Sequence, residues 1–205
     1  MRVSKEQAET NRTSLLQAAG RLFNEKGFDG VGVAEVAKEA GLTHGALYAH
    51  FPSKDVLAAE AFTEGIAHRL TSMRRRKRTF EEYLDVMFST EHRDNLANGC
   101  PMTASASEIA RQGTAVATSF AQAFQETVAV LEESIESDIP ASQKRRLAIS
   151  AVTAQIGAMA VARGVAKVDP SLSKEVLRTL REVVTPSLPA KGDKARRSRL
   201  SHPVK

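Results

Sequence analysis

Seven side chains that can hydrogen-bond, carry charge or permit close approach fall within the stretch GLTHGALYAHFPSK: Thr43, His44, Gly45, Ala46, Tyr48, His50 and Lys54. None is placed for covalent catalysis. The five His and 24 Asp/Glu are scattered along the chain, and Cys100 has no evident His partner. There is no Gly-rich phosphate loop and no helix-borne H-E-x-x-H, so the sequence offers no catalytic set, no metal site and no cofactor motif. What the cluster does offer is surface recognition. Tyr48 combines an apolar ring with a hydroxyl, suited to a thymine methyl or a phosphate, and His44 stands where a helix start reaches base edges. Thr43, His50 and Lys54 are phosphate-contacting types. Gly45 and Ala46 supply no side-chain hydrogen bond, so DNA shape is expected to carry part of any readout.

The elements that must position these groups are two short helices and a bend. Val33, Val36, Ala37 and Ala40 recur at helical spacing. Gly41 tolerates the left-handed backbone just past a helix end, and Leu42 points back into the bend. Thr43 can cap a second helix in which Ala46, Leu47 and Phe51 pack inward. A short helix, a glycine turn and a second short helix with a polar outer face form the helix-turn-helix pattern, whose second helix enters the DNA major groove. An earlier helix, starting near Ser4 with a Ser4/Gln7 capping box, supplies the floor through Leu15, Leu16, Ala19, Leu22 and Phe23. Gly27 ends it, and Phe28 tucks beneath.

On these residues the chain resembles the tetracycline-repressor (TetR) family. The A-G-L-x-x-G-x-L-Y-x-H-F-x-S-K run, preceded by LFNEKGFDGVGVAEVAKEA, is close to a family signature, and the match covers roughly residues 10–57. The resemblance implies a dimeric, all-helical transcription regulator, mostly a repressor that a small molecule releases from DNA. It places Thr43, His44, Gly45, Ala46 and Tyr48 where the family reads bases or backbone, and His50 and Lys54 where it grips phosphate.

The remaining chain reads as helices. One starts at Ser53 and runs to the basic cluster Arg74 to Arg78, which reads as a solvated helix end complementing the helix dipole. Phe80, Tyr83, Leu84, Met87 and Phe88 form an apolar stripe. A polar break spans residues 92–99, and Pro101 opens a helix to about Gln112 that Gly113 closes. Three further helices are marked by Val116 to Ile135, Leu147 to Val165 and Val176 to Val184. Met87, Phe88, His92, Cys100, Met102, Phe120, Phe124, Met159 and Arg163 are the candidate lining of a mostly apolar ligand cavity. Ordinary core packing gives the same pattern. Arg163 could anchor an anion or make an interfacial ion pair. Ala151, Ala154, Gly157, Ala158, Ala160, Ala162 and Gly164 let helices approach closely, and the resemblance implies a homodimer on the last two helices. A two-fold axis would then present two reading helices to a pseudo-palindromic double-stranded operator.

The expected organisation is all-α: a helix-turn-helix domain at 1–52, a helical regulatory and dimerisation domain at 53–189 and a disordered basic tail at 190–205. The tail carries six Lys/Arg against one Asp, matching the net charge of +5. Residues 1–78 carry thirteen Lys/Arg against nine Asp/Glu, and residues 79–189 ten against fourteen, so a polyanion is drawn to one end. One Cys excludes an internal disulfide. With no long apolar run and no signal-peptide h-region, a cytoplasmic protein off the membrane is expected. Cys100, before a helix start, also admits a different input: redox or electrophile sensing by its thiol. A small buried residue fits the same position. A nucleoid-type protein with little sequence preference is the third reading.

Overall fold

The computed structural model describes residues 4–185. Regular structure among them is helical: α1 (Lys5–Lys26), α2 (Val33–Glu39), α3 (His44–His50), α4 (Lys54–Arg76), α5 (Phe80–Met87), α6 (Thr90–Asp94), α7 (Pro101–Ser105), α8 (Thr114–Ser134), α9 (Ala141–Val165) and α10 (Pro170–Val184). A 3-10 turn at Ile109–Arg111 precedes α8. The basic tail expected at 190–205 lies outside the described residues.

The Ser4 hydroxyl accepts from the Gln7 amide at 3.1 Å and starts α1. The Gln7 side chain turns forward to Asn11, so only half of the expected capping box forms. Leu15, Leu16, Ala19, Leu22 and Phe23 are buried, as their spacing predicts. Gly27 ends the helix at φ 76°, in the region that favours glycine. Phe28 folds back beneath it, its ring 5.2 Å from that of Phe23. Gly41, at φ 70°, turns the chain after α2, and the Leu42 amide donates to the Ala37 carbonyl at 2.8 Å to close the bend.

The Ser53 hydroxyl caps α4 by accepting from the Val56 amide at 3.2 Å. This helix packs against both α1 and α8, and one apolar core runs from Leu15 through Leu57 to Met159. The turn at residues 52 and 53 is therefore a change of direction rather than a gap in the core. Arg74, Arg75 and Arg76 are exposed at the α4 end, as a solvated terminus should be. Thr79 and Glu82 form a capping box at the start of α5, whose Phe80, Tyr83, Leu84 and Met87 are buried.

Two stretches differ from the sequence reading. The supposed break at 92–99 begins inside α6, where the Ser89 hydroxyl caps the helix by accepting from the His92 amide at 3.0 Å. Here His92 points inward and meets Gln155 of α9. An inward polar side chain with a buried partner looks like loop to a hydrophobic-periodicity test. The helix expected from Pro101 to Gln112 stops at Ser105, and Gly113 begins α8 instead of closing α7. The Ser105 hydroxyl donates to the Pro101 carbonyl, a local bond that competes with the backbone pattern. Glu108 of this segment is drawn away to the Phe28 amide.

The last three helices stack in order, α8 on α9 and α9 on α10. Ala148, Ala151, Val152, Gln155, Ala158, Met159 and Ala162 are the buried face of α9. Ala158 thus belongs to the chain's own core and not to a surface a partner could cover. On the other face Ile149, Thr153, Gly157, Ala160, Val161 and Gly164 are exposed and Ile156 half-buried. Leu177 and Val184 are buried on α10, whereas Val183 is exposed. Apolar residues on both faces make α9 long and apolar enough to cross a membrane by length and composition, with mean hydropathy 1.3 over its best window. That corrects the expectation that no such run exists. Its packing between α8 and α10 is that of a core helix.

Candidate nucleic-acid interface

Seven residues build α3, and its orientation follows from what it buries. Leu47 and the C-terminal cap Phe51 are fully buried against α1 and α2. The Thr43 hydroxyl oxygen accepts from the Ala46 amide at 3.2 Å, fixing the helix start. That oxygen still carries its own proton, free to donate outward. With Leu47 and Phe51 held inward, the outward face is His44, Gly45, Tyr48 and Ala49, all exposed. His44 and Tyr48 are one turn apart, and their rings meet edge to face at 5.1 Å. Gly45 and Ala49, also one turn apart, form a low strip beside this aromatic ridge. A Cβ on Gly45 would meet no neighbouring atom within 4 Å, so the strip opens to solvent.

The sequence-derived set is therefore split by the structure. His44, Gly45 and Tyr48 share one face. Ala46 and His50 lie at its side, half-buried, with the His50 ring 6.4 Å from that of Phe51. Lys54 is the first residue of α4, beyond Pro52, and half-buried. Ala49 was missed, although its position four residues after Gly45 is the signal that finds it. Arg12 of α1 was also missed. Its guanidinium lies 5.0 Å from the Phe51 ring centroid and pairs with Glu60, bracing the ends of α3 and α4 against α1.

The candidate ligand set is differently placed. Met87, Phe88, Cys100, Met102 and Met159 are packed core residues. Phe120 and Phe124 are half-buried, with the Phe120 ring 6.0 Å from that of Phe62. His92 is 8% exposed, and its Nε2 lies 3.0 Å from Gln155 Nε2. Burial, followed by the nearby charges of Arg69 and Arg163, pushes its pKa from 6.5 down to about 3, so the ring is neutral near pH 7. Arg163 is not a free anion anchor. Its Nε donates to the Arg93 carbonyl at 2.9 Å, and its terminal nitrogens donate to the Thr103 and His92 carbonyls at 3.3 and 3.4 Å. Burial lowers its pKa from the ordinary arginine value, with opposing contributions from Cys100 and Asp94.

A helical chain with a helix-turn-helix at one end and a larger helical body defines a class of DNA-binding regulator, and comparison with known proteins narrows it. The model described as bacterial regulatory proteins, tetR family, matches residues 15–61. That of the LmrA/YxaF-like transcriptional regulator C-terminal domain matches residues 77–174. The chain belongs to the TetR family of transcriptional regulators. It is 46% identical over 55 residues to the regulator LmrA of Bacillus subtilis, covering 26% of this chain and 29% of that one. It is 41% identical over 59 residues to AcrR of Shigella flexneri, covering 29% and 27%. These alignments span less than a third of the curated relatives' lengths. A TetR regulator from Legionella pneumophila superposes with TM-score 0.68 at 16% identity, covering 90% of this chain and 100% of that chain. FadR from Bacillus subtilis, crystallised with stearoyl-CoA, gives 0.55 at 17%, covering 82% and 96%. At these identities the likeness is one of fold.

Proposed function

We propose that the chain is a homodimeric repressor that reads a pseudo-palindromic operator through α3 and leaves it when a small, mostly apolar ligand binds. The observation that carries the reading is the outward face of α3. The fold has no use for an aromatic ridge there, yet Tyr48 stands 48% exposed on a helix held rigidly by Leu47 and Phe51. His44 and Tyr48 read base edges, and the Gly45/Ala49 strip lets the backbone approach the groove. Ala46 lies beside this strip, and Thr43, His50 and Lys54 meet phosphates.

Support for the dimer comes from the outward face of α9. Ile149, Thr153, Ile156, Gly157, Ala160, Val161 and Gly164 make a strip without a charge, the surface a two-fold partner would cover. The ligand enters among α4, α8 and α9, displacing the half-buried Phe120 and Phe124 rings and reaching Met87, Phe88, Met102 and Met159. A long acyl chain, as in the FadR complex, belongs to the apolar class proposed. Sensing through the Cys100 thiol has less support, because Cys100 is 1% exposed.

The test selects bound duplexes from a random pool and then screens apolar small molecules by thermal shift. Enrichment of one two-fold sequence, released by ligands that stabilise the protein, is expected. Equal retention of all sequences points to a nucleoid-type protein. Stabilising ligands that leave operator affinity untouched refute the switch.

A further inference from the structure

Residues 92–112 form a strap between the helical body and the helix-turn-helix, pinned at both sides. On the body side, Arg163 of α9 holds the carbonyls of His92, Arg93 and Thr103. Arg93 in turn donates to the Ser173 hydroxyl of α10 at 2.8 Å. On the other side the strap reaches α1 and the connection into α2. Asn24 Nδ2 donates to the Ala97 carbonyl at 3.1 Å, and Gln112 Nε2 lies 3.4 Å from Asp29 Oδ1. The Phe28 amide donates to Glu108 Oε2 at 2.8 Å. Between Ala97 and Pro101 the strap borders a cleft of about 370 Å³ against α1 and α4, and beyond it α7 packs against both helices.

Of these pins, the Glu108 contact joins a carboxylate to a backbone amide, the stronger kind of hydrogen bond. Phe28 is 2% exposed, so its amide has little access to water. Gly27 makes the approach possible: a Cβ there would overlap the Glu108 carboxylate. The glycine that ends α1 therefore also opens the path for the side chain that reaches Phe28 from eighty residues away.

We propose that Glu108 is a positioning residue for DNA recognition: its carboxylate latches the Phe28 amide and fixes the angle of α1 to α3 against the body. The proposal rests on the DNA-binding reading above. In a dimer that angle sets the separation of the two α3 helices, and hence the half-site spacing they accept. Loosening the latch spreads the separation, so fewer molecules match the preferred spacing and neighbouring spacings are tolerated.

The test has two arms, both on the full chain. The first follows hydrogen exchange of the Phe28 amide without DNA. The second measures affinity for the duplex selected from a random pool, and for that duplex with one or two base pairs inserted between half-sites. Glu108→Asp, shorter by one methylene, should speed Phe28 exchange and lower affinity for the selected duplex, each by about tenfold, the equivalent of one charge-assisted hydrogen bond. It should also shrink the discrimination against inserted base pairs. Glu108→Gln keeps an acceptor of the same reach without the charge and should fall between the parent and Glu108→Asp in both arms. Exchange at Phe28 that does not respond to Glu108→Asp overturns the latch. Faster exchange with undiminished spacing discrimination overturns the positioning role and reduces Glu108 to a local cap. A parent that selects no duplex, while Phe28 exchange still responds, overturns the DNA-binding reading and leaves the latch itself standing.

Discussion

Lowering the pH from 7 to 5 should destabilise the protein by about 2 kcal/mol through His92 alone. The ring sits on α6, 8% exposed, with Arg69 of α4 and Arg163 of α9 as the charges acting on it and the Gln155 amide beside Nε2. Burial, reinforced by the two arginines, lowers its pKa from 6.5 to about 3. Between those values the unfolded chain binds a proton that the folded chain refuses. Stability is therefore full above about pH 6.5 and drains away as the pH falls toward 3. Each unit of difference is worth about 1.4 kcal/mol, giving about 5 kcal/mol in all and about 2 kcal/mol by pH 5. Protonation would also turn the Gln155 contact into two opposed donors. Asp94, whose pKa is lowered from the ordinary 3.8 by its hydrogen bond to Arg93, stays ionised between pH 7 and pH 5. Urea denaturation of the parent and His92→Gln at pH 7 and pH 5 reads the effect. The parent should lose about 2 kcal/mol more than the variant. Equal losses would refute the assignment of the buried proton to His92.

Other outcomes follow from the same geometry. Lys54→Ala should weaken operator binding across sequences and reduce the salt slope by about one counterion, measured by fluorescence anisotropy over a salt series. A slope equal to the parent's would remove Lys54 from the phosphate set. Val161→Glu places a charge on the outward face of α9, where Val161 is 50% exposed. It should convert a micromolar dimer to monomer in sedimentation while preserving helicity. A parent that sediments as a monomer contradicts the dimer.

The helix-turn-helix was legible because its signals are local. Gly41 ends a run of Val and Ala, Thr43 precedes a helix, and Leu47 and Phe51 are the residues left to bury. Each is decided within a turn or two of chain. The inward face of α9 was visible only in part, because its two apolar faces have the same composition. Choosing Val161 over Ala158 as the outward-facing residue needs the position of α8 and α10. His92 was misjudged, and Glu108 was not singled out, for a related reason. A polar residue reads as surface until its partner is known, and those partners, Gln155 and Phe28, lie 63 and 80 residues away. The same holds for Arg163, whose carbonyl partners sit 60 or more residues away along the chain.

The central claim is that the exposed ridge of α3 reads DNA. Its most direct test is the affinity of Tyr48→Ala for a duplex that the parent has selected from a random pool, at fixed salt, with circular dichroism confirming unchanged helicity. Tyr48 is outside the core, so the fold should survive its loss. Removing a base contact from each half-site should weaken binding by about tenfold or more, with most of the loss confined to the selected sequence. Equal affinity of Tyr48→Ala and the parent for that duplex would contradict the account.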